Sequence, residues 1–214
     1  MNEDQPPYES ILPQKRNPFY VFLAFVAVIA LLALSMEGYF YLIHPEPHRI
    51  VALEEVQTFL PQNLKQPFTS YGPQEVDRAW QESQTVLKQV ANYVAAQSCK
   101  KADRVCQSRA LFYFVRDGIR YVPDSRFHDQ LENPLVTLKT GGADCEDMAV
   151  LLAGLQKAIG NEARLVAIPS HVYVQIKIPD YKDKWQSLEA TCKTCRFNEL
   201  PADIALERKN FHEL

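Results

Sequence analysis

The amino-acid sequence predicts an α+β protein that is preceded by one apolar helix. Three observations support this prediction: an uncharged apolar run near the N-terminus, later segments with the apolar spacing of α-helices, and a final part with the alternation of β-strands. Helices followed by a meander of strands predict a central helix packed on one side of an antiparallel sheet. A chain of 214 residues with 47% hydrophobic residues is long enough for one sizeable core and an anchor.

The distribution of charge argues against one class of partner. The formal net charge is -3, and acidic and basic residues are mixed along the chain. Nucleic-acid-binding proteins usually present a basic stripe interleaved with aromatic residues, and the sequence contains no such stripe. We therefore expect no nucleic-acid partner.

Residues 18–43 are predicted to form a transmembrane helix. No charged residue occurs from Phe19 to Met36, and the apolar run resumes shortly afterwards, which gives enough length to cross a hydrocarbon core of about 30 Å. A cleaved signal peptide is the alternative, because Ala33 and Ser35 could form a small-residue cleavage site. The run is longer than the apolar region of a signal peptide, about 7–15 residues, and this favours an uncleaved anchor.

The flanks of this helix predict its orientation. Residues 1–17 are polar and proline-containing, and we expect them to be a disordered cytoplasmic tail. The basic residues Lys15 and Arg16 lie just before the helix. In the segment that follows the helix, Arg49 is the only nearby Lys or Arg, and Glu46 lies close to it. The positive-inside rule then places the N-terminus in the cytoplasm and the main domain outside it.

The rest of the chain divides into two predicted parts. Residues 44–73 are predicted to be a proline-rich stalk with one short helix between Leu53 and Leu60, and residues 74–214 are predicted to be the main domain. The elements predicted for that domain are helices over Gln74–Gln97 and Arg104–Asp117, a helix that begins at Cys145, and strands over Arg164–Ile168, His171–Ile178 and Trp185–Leu188.

Cys145 lies where a glycine turn meets the first turn of the third predicted helix. Apolar residues recur after it at helical spacing, and Gly160 supplies a C-terminal stop. Unpaired backbone N–H groups and the positive end of the helix dipole favour an anion at this position, which predicts a lowered thiol pKa and a nucleophilic thiolate. A buried structural cysteine is the competing interpretation.

The other four cysteines lie in two local pairs, Cys99 with Cys106 and Cys192 with Cys195. Two disulfides in an oxidising compartment, or simple structural thiols, are the favoured interpretation. Two alternatives stay open at this point, namely a zinc site that gathers the four thiolates and a redox-active C-x-x-C pair.

A thiol nucleophile needs a base, and the base is usually oriented by a third polar group. His171 is the candidate base, because it begins a predicted strand beside the cysteine helix, whereas the other histidines lie in the stalk, a loop or the C-terminal tail. Glu189 ends the next predicted strand and could orient the imidazole. In an ideal strand His171 shares its side with Tyr173, Gln175 and Lys177 rather than with the apolar row, so a catalytic position requires the strand end to depart from strict alternation.

The residues around Cys145 carry a family resemblance. Residues 142–152 read GADCEDMAVLL, and Ala158–Gly160 and Ala163–Arg164 follow. These blocks resemble the core of the transglutaminase-like superfamily, whose pattern is roughly D-C-x-D-x-A-x-L-L followed by a-x-G and A-R.

Three further blocks agree with this resemblance. His171–Val174 resembles the histidine strand of the family, and Trp185–Thr191, which reads WQSLEAT, resembles its W-x-x-L-D-x-T strand. Phe114–Tyr121 is similar to the segment that precedes the cysteine. The resemblance covers roughly residues 105–195, about half of the chain, and it is to the membrane-anchored, prokaryotic type of these papain-like Cys-His-acid enzymes.

The resemblance implies Cys145 as the nucleophile, His171 as general base and then general acid, and Glu189 as the group that orients the imidazole. The family usually has Asp at the position of Glu189. Asp147 is expected to have a structural or helix-dipole role in the first helical turn, and Asp144 either caps the helix or takes part in catalysis. No cofactor and no metal are implied.

The oxyanion that forms when the thiolate attacks needs two hydrogen-bond donors. The backbone N–H of Cys145 is one of them. Tyr121 and Trp185 are candidates for the second, because both are polar-tipped aromatic residues near the motif blocks.

The resemblance implies a membrane-anchored thiol acyl-transfer enzyme that acts on a protein or peptide carboxamide through an acyl-thioester. If water resolves the thioester, the enzyme is a cysteine peptidase or amidase, which is the interpretation we favour. If a lysine amine resolves it, the enzyme is a protein-glutamine transglutaminase. A non-catalytic, membrane-tethered binding or scaffold module is the alternative from a different functional class.

Overall fold

The structure is a computed structural model that contains two compact units, residues 1–43 and residues 44–214. We describe each unit by itself. The predicted cytoplasmic tail lies outside the described residues except for Asn17. The structure describes residues 17–43, 46–64, 71–100, 102–123, 130–182 and 184–214.

The described part of the first unit is a single helix, α1, over Pro18–Ile43, and this confirms the predicted helix. Its Pro18–Ser35 segment has a mean hydropathy of 2.5, and none of its residues is buried. Within the described part of the chain, this is the one helix that is long and apolar enough to cross a membrane. A signal sequence near an N-terminus can also meet these criteria, so membrane insertion and its direction stay predictions.

The second unit mixes helices and strands as predicted. The long helices and the three strands lie within two residues of their predicted bounds. The elements are α2 (Leu53–Gln57), α3 (Pro73–Ser98), α4 (Arg104–Gly118), β1 (Arg120–Tyr121), α5 (Pro134–Thr140), β2 (Gly142–Ala143), α6 (Cys145–Ala158), β3 (Glu162–Ile168), β4 (His171–Lys177), β5 (Trp185–Leu188), α7 (Ala202–Leu206) and β6 (Asn210–Glu213).

The main sheet is antiparallel with strand order β5-β4-β3-β6, and α6 packs against β3 and β4. The helices α3 and α4 also pack against α6, which places α6 in the centre as predicted. The edge strand β6 is a finding that the sequence did not predict, since residues 210–213 were expected to be part of a tail. It pairs with β3, and Val166 lies opposite Phe211.

The core surrounds α6, which is buried along almost its whole length. Met148, Leu151 and Leu155 are fully buried, and truncating such a side chain to alanine typically costs about 2–5 kcal/mol. Gly154 permits the close packing of α6 against α3, because a Cβ at this position would come within 2.7 Å of Leu87 Cδ1. Helix α6 is thus packed closely between the sheet and α3.

The predicted stalk contributes to this same core. The short helix α2 is present, and its Leu53 and Val56 are buried. The Gln57 side-chain amide donates to the backbone carbonyls of Leu138 and Lys139, at 3.2 Å each. This anchors α2 to the end of α5, just before the glycine turn.

Both predicted cysteine pairs form disulfides, Cys99–Cys106 and Cys192–Cys195. The disulfides agree with the favoured interpretation, and cysteines joined in disulfides cannot supply four thiolates to a zinc ion. The redox-active C-x-x-C pair stays an alternative, because a Cys192–Cys195 disulfide is also the oxidised form of such a pair. All five cysteines lie in the described part of the chain, and Cys145 is the free one.

Candidate active site

Cys145 is the first residue of α6, and the turn before it determines its position. Gly141 takes a left-handed conformation with φ 69°, which is accessible to glycine without steric cost. The chain then forms β2, which pairs in parallel with β1, and enters the helix. As the first helical residue, Cys145 has a backbone N–H without a partner inside the helix.

Asp144 caps this helix, as one of its two predicted roles requires. Its Oδ1 accepts a hydrogen bond from the backbone N–H of Asp147 at 3.2 Å. The cap occupies one of the orphan donors of the first turn. The N–H of Cys145 remains available for a substrate.

His171 and Glu189 form a direct pair. His171 Nε2 lies 2.6 Å from Glu189 Oε2. This contact follows from the register, since Val174 of β4 lies opposite Leu188 of β5 and the two strands continue to His171 and Glu189. The contact uses Nε2, so the other ring nitrogen, Nδ1, has no hydrogen-bond partner among the described residues.

Glu189 is fixed by further hydrogen bonds. Its side chain is 1% exposed, and its Oε1 accepts from the backbone N–H of Thr191 at 2.9 Å and from the Thr191 hydroxyl at 2.6 Å. A carboxylate with three partners has little freedom to rotate. These bonds hold the longer Glu side chain against His171, at a position where the family usually has Asp.

Cys145 lies beside this pair. The backbone N–H of Val172, the residue after His171, faces the sulfur and acts to lower its pKa. Cys145 and Glu189 also line the same narrow crevice. The structure therefore places Cys145 beside the residue that follows His171 and in the same crevice as Glu189.

The state of the thiol differs from the prediction. Burial, first, and a hydrogen bond from Cys145 Sγ to Glu146 Oε2 at 2.9 Å, second, raise the pKa of the thiol well above its ordinary value. The prediction that Cys145 is a thiolate at neutral pH is therefore wrong for this arrangement of side chains. The helix dipole acts in the expected direction, but burial and an adjacent carboxylate outweigh it.

Glu146 should therefore control the reactivity of Cys145. We expect Glu146→Gln to lower the pKa of the Cys145 thiol by about one unit, because a neutral amide no longer repels the thiolate. Alkylation by iodoacetamide, followed over a range of pH, measures this shift. Glu162→Gln, which removes an exposed carboxylate paired with Lys177, is the matched control. Identical pH–rate profiles for Glu146→Gln and the wild type would contradict the assigned role of Glu146.

Asp147 is buried in the first turn and has the structural role predicted for it. Its Oδ1 accepts the backbone N–H of Glu132 at 2.7 Å, which fastens the segment before α5 to α6. Burial, first, and the nearby Asp144, second, raise the pKa of Asp147 from 3.8 to about 8. Its carboxyl group is therefore largely protonated at neutral pH.

This raised pKa makes the stability of the domain depend on pH. Below about pH 3.8 both the folded and the unfolded state carry the Asp147 proton, and its contribution to stability is fully present. Above that pH the unfolded state releases the proton while the folded state keeps it, so the free energy of unfolding declines until the pH has risen through about 8. Asp147→Asn cannot titrate. Between about pH 6 and pH 9 we expect the wild type to lose on the order of 2 kcal/mol of unfolding free energy relative to the variant. Denaturant unfolding at several pH values measures this difference, and parallel curves for the two proteins would contradict the expectation.

The structure also reveals site residues that the sequence reasoning missed. Thr191 supplies two hydrogen bonds to Glu189, and its signal was the E-x-T spacing in the strand block. Glu146 and Val172 act on the thiol, and no sequence signal separates them from their neighbours. Within the described residues, no group of three or more His, Cys, Asp or Glu side chains is arranged to hold a metal ion.

Residues 88–190 match the family model of the transglutaminase-like superfamily, a segment that contains Cys145, His171 and Glu189. No curated protein matches the chain.

Several solved structures resemble the chain weakly. LapG of Legionella pneumophila is 15% identical with a TM-score of 0.43, and the alignment covers 76% of this chain and 83% of LapG. A proposed protease from Parabacteroides distasonis is 15% identical with a TM-score of 0.44, and the alignment covers 62% of this chain and 30% of that protein. A proposed cysteine protease from Cytophaga hutchinsonii is 15% identical with a TM-score of 0.41, and the alignment covers 61% of this chain and 48% of that protein.

The order of the elements, the central helix that begins at the cysteine and the match over residues 88–190 agree with one another. The second compact unit of this chain carries the transglutaminase-like fold.

Proposed function

We propose that this chain is a membrane-anchored cysteine peptidase or amidase that cleaves a protein or peptide carboxamide through an acyl-thioester on Cys145. The observation that carries the proposal is the His171–Glu189 pair, 2.6 Å apart, at the start of the strand whose next N–H faces the Cys145 sulfur. A histidine oriented by a carboxylate and set beside a thiol is the arrangement that nucleophilic catalysis requires.

The reaction begins with the thiol proton. In the resting structure the Cys145 thiol keeps this proton and donates a hydrogen bond to Glu146. The sulfur must therefore first rotate away from that carboxylate towards Nδ1 of His171. The imidazole then takes the proton, and Glu189 stabilises the imidazolium through Nε2. The backbone N–H of Val172 favours the thiolate that results.

Attack and cleavage follow from the same arrangement. The sulfur forms a bond with the substrate carbonyl carbon, and the developing oxyanion accepts a hydrogen bond from the backbone N–H of Cys145. His171 returns its proton to the leaving amine as the C–N bond breaks. The acyl-thioester stays on Cys145 until water, activated by the now neutral imidazole, hydrolyses it.

Two observations support a position outside the cytoplasm. Two disulfides are typical of proteins from oxidising compartments. The apolar helix α1 follows Lys15 and Arg16, which the positive-inside rule retains in the cytoplasm. We propose a single-pass protein whose N-terminus is cytoplasmic and whose main domain lies outside the cytoplasm.

Mass spectrometry of substrate peptides tests the reaction class. The full chain in detergent micelles is incubated with a peptide library, with and without cadaverine as an amine acceptor, and Cys145→Ala is the control. We expect cleaved or deamidated peptides that depend on Cys145. Cadaverine adducts would instead indicate transamidation, and an absence of any Cys145-dependent product would contradict the enzymatic function and favour a scaffold.

A further inference from the structure

We propose that a second copy of this chain binds along the β6 edge of the main sheet, residues 209–213, in antiparallel register about a two-fold axis at Phe211. The inference goes beyond the thiol chemistry and does not depend on it. Its basis is an unpaired strand edge, the pattern of charge along that edge and the exposure of its apolar residues.

The two edges of the main sheet differ. At the β5 edge, the backbone N–H of Ser187 donates to Asn198 Oδ1 at 3.1 Å, so the chain itself occupies that edge. At the other edge β6 pairs with β3, and within the described part of the chain no strand pairs with the opposite side of β6. An unpaired edge presents a row of backbone donors and acceptors that another extended chain can match in spacing.

The register identifies the free backbone groups of β6. The backbone N–H of Leu214 donates to the carbonyl of Ala163 at 3.4 Å, which makes these two residues a hydrogen-bonded pair of the β3–β6 ladder. Hydrogen-bonded pairs alternate along an antiparallel ladder, so His212 is the next residue whose backbone groups point towards β3. The N–H and C=O groups of Phe211 and Glu213 therefore point away from the sheet.

The charge pattern favours a second copy and one register. When the Phe211 residues of two copies face each other, Lys209 of each copy lies opposite Glu213 of the other copy. All three side chains lie on the same face, because alternate residues of a strand share a face. A shift of two residues in one direction places Phe211 opposite Glu213, and a shift in the other direction places Glu207 opposite Glu213. Opposite charges that face each other across strands are stabilising and like charges are destabilising, so the register centred on Phe211 is favoured.

Both charged side chains can make these new ion pairs. The Glu213 side chain is 63% exposed, and its Oε1 lies 3.4 Å from Arg164 Nη1, which leaves Oε2 for a second cation. Lys209 Nζ donates to the carbonyl of Ala205 at 2.7 Å, and an ammonium group has three N–H donors. Two symmetric ion pairs can thus form while both contacts within the chain are kept.

Phe211 is held in place at the centre of this surface. The carbon of the Arg164 guanidinium lies 4.0 Å from the centre of the Phe211 ring and 3.9 Å from the centre of the Trp185 ring. Phe211 is nevertheless 51% exposed, and Leu206, shortly before β6, is 89% exposed. Clustered exposed apolar residues mark interaction surfaces, and an aromatic pair across antiparallel strands is a favourable contact.

The arrangement leaves the candidate active sites open. Two four-stranded sheets join into one sheet of eight strands, with helix α6 of both copies on the same face. The β6 edge is separated by β3 from β4 and β5, the strands that position His171 and Glu189. Association therefore covers neither member of the His171–Glu189 pair.

Cysteine cross-linking of the full chain in detergent micelles tests the surface and its register. Every variant carries Cys145→Ala, so that the free thiol of the chain does not react. Residues that face each other in a hydrogen-bonded pair have Cα atoms about 5.5 Å apart, a distance that a disulfide spans. On oxidation with copper phenanthroline we expect Phe211→Cys to form a disulfide-linked dimer at least about tenfold faster than Glu213→Cys, because the two Glu213 positions are offset by about 13 Å along the strands.

A mixture of two variants checks the same register with Phe211 intact. Lys209→Cys and Glu213→Cys in equal amounts should give a mixed disulfide faster than either variant cross-links with itself, and one Lys209–Glu213 ion pair is retained in the mixed dimer. Mass spectrometry of the linked peptides identifies the residues that are joined. This arm keeps the test valid if Phe211→Cys does not fold.

The remaining outcomes would overturn the inference. Equal cross-linking rates for Phe211→Cys and Glu213→Cys, together with no preference for the mixed disulfide, would show that the copies collide without this register. A chain that is dimeric by light scattering but gives neither cross-link would be joined through a different surface. A monomeric chain that gives neither would leave the β6 edge to an extended segment of another protein. None of these results bears on the acylation of Cys145, so the proposed function is tested separately.

Discussion

His171→Ala should slow acylation of Cys145 by about 10³-fold at neutral pH, because the thiol loses the base that removes its proton. The effect should be large here, since burial and Glu146 raise the pKa of this thiol and leave little thiolate without help from a base. The burst of p-nitrophenol from p-nitrophenyl acetate measures the rate. Added imidazole should restore part of the activity of the variant.

His212→Ala is the matched control for this variant. His212 lies in β6, and its Nε2 is 3.2 Å from Asp77 Oδ1, far from the thiol in chain order and in a different strand pair. We expect it to acylate at nearly the wild-type rate. An acylation rate for His171→Ala close to that of the wild type would exclude His171 as the base.

Glu189→Gln should reduce the acylation rate by about 100-fold or more. Gln keeps the size of the side chain and can still accept from Thr191, but its amide group no longer stabilises the imidazolium and favours the wrong tautomer of His171. The alkylation rate at high pH, where the thiol ionises without a base, should change little. The pH–rate profile of acylation therefore distinguishes loss of the base from misfolding.

Glu189→Asp tests the length of the side chain at the same position. Asp keeps the charge and matches the residue that the family usually has, but it is one methylene shorter than the side chain that spans 2.6 Å to His171 here. We expect an activity between those of the wild type and Glu189→Gln. Equal losses in both variants would show that geometry and not charge dominates at this position.

The parts of the fold that could be predicted are those with strong periodicity. The helix that begins at Cys145 carries apolar residues on nearly every side because it is the centre of the core. Along β4, aliphatic residues alternate clearly with other residues in the sequence. The edge strand β6 could not be predicted, because Asn210–Glu213 contains a single apolar residue and it pairs with β3 on one side only. β1 and β2 are two residues each, which is too short for any pattern.

The candidate site was predictable in its residues but not in its electrostatics. The order Cys, His, acid, with His171 at the start of one predicted strand and Glu189 at the end of the next, predicted that the three residues lie close together. The structure pairs His171 with Glu189 and places Cys145 and Glu189 in one crevice. The thiol pKa was predicted from the helix dipole, whose effect is about 0.3–1 kcal/mol, whereas burial and a carboxylate neighbour can shift a pKa by several units. The side-chain rotamer that turns Cys145 Sγ towards Glu146 depends on packing in the folded protein, and it could not be predicted from the sequence.

Peptide mapping of the acid-quenched reaction with p-nitrophenyl acetate tests the central claim most directly. We predict an acetyl group on Cys145 of the wild-type chain that appears within the burst and disappears as water hydrolyses it. The same adduct should be absent from Cys145→Ala and should form about 10³-fold more slowly in His171→Ala. Ester hydrolysis without an adduct on Cys145, or an adduct that forms equally fast without His171, would contradict the account.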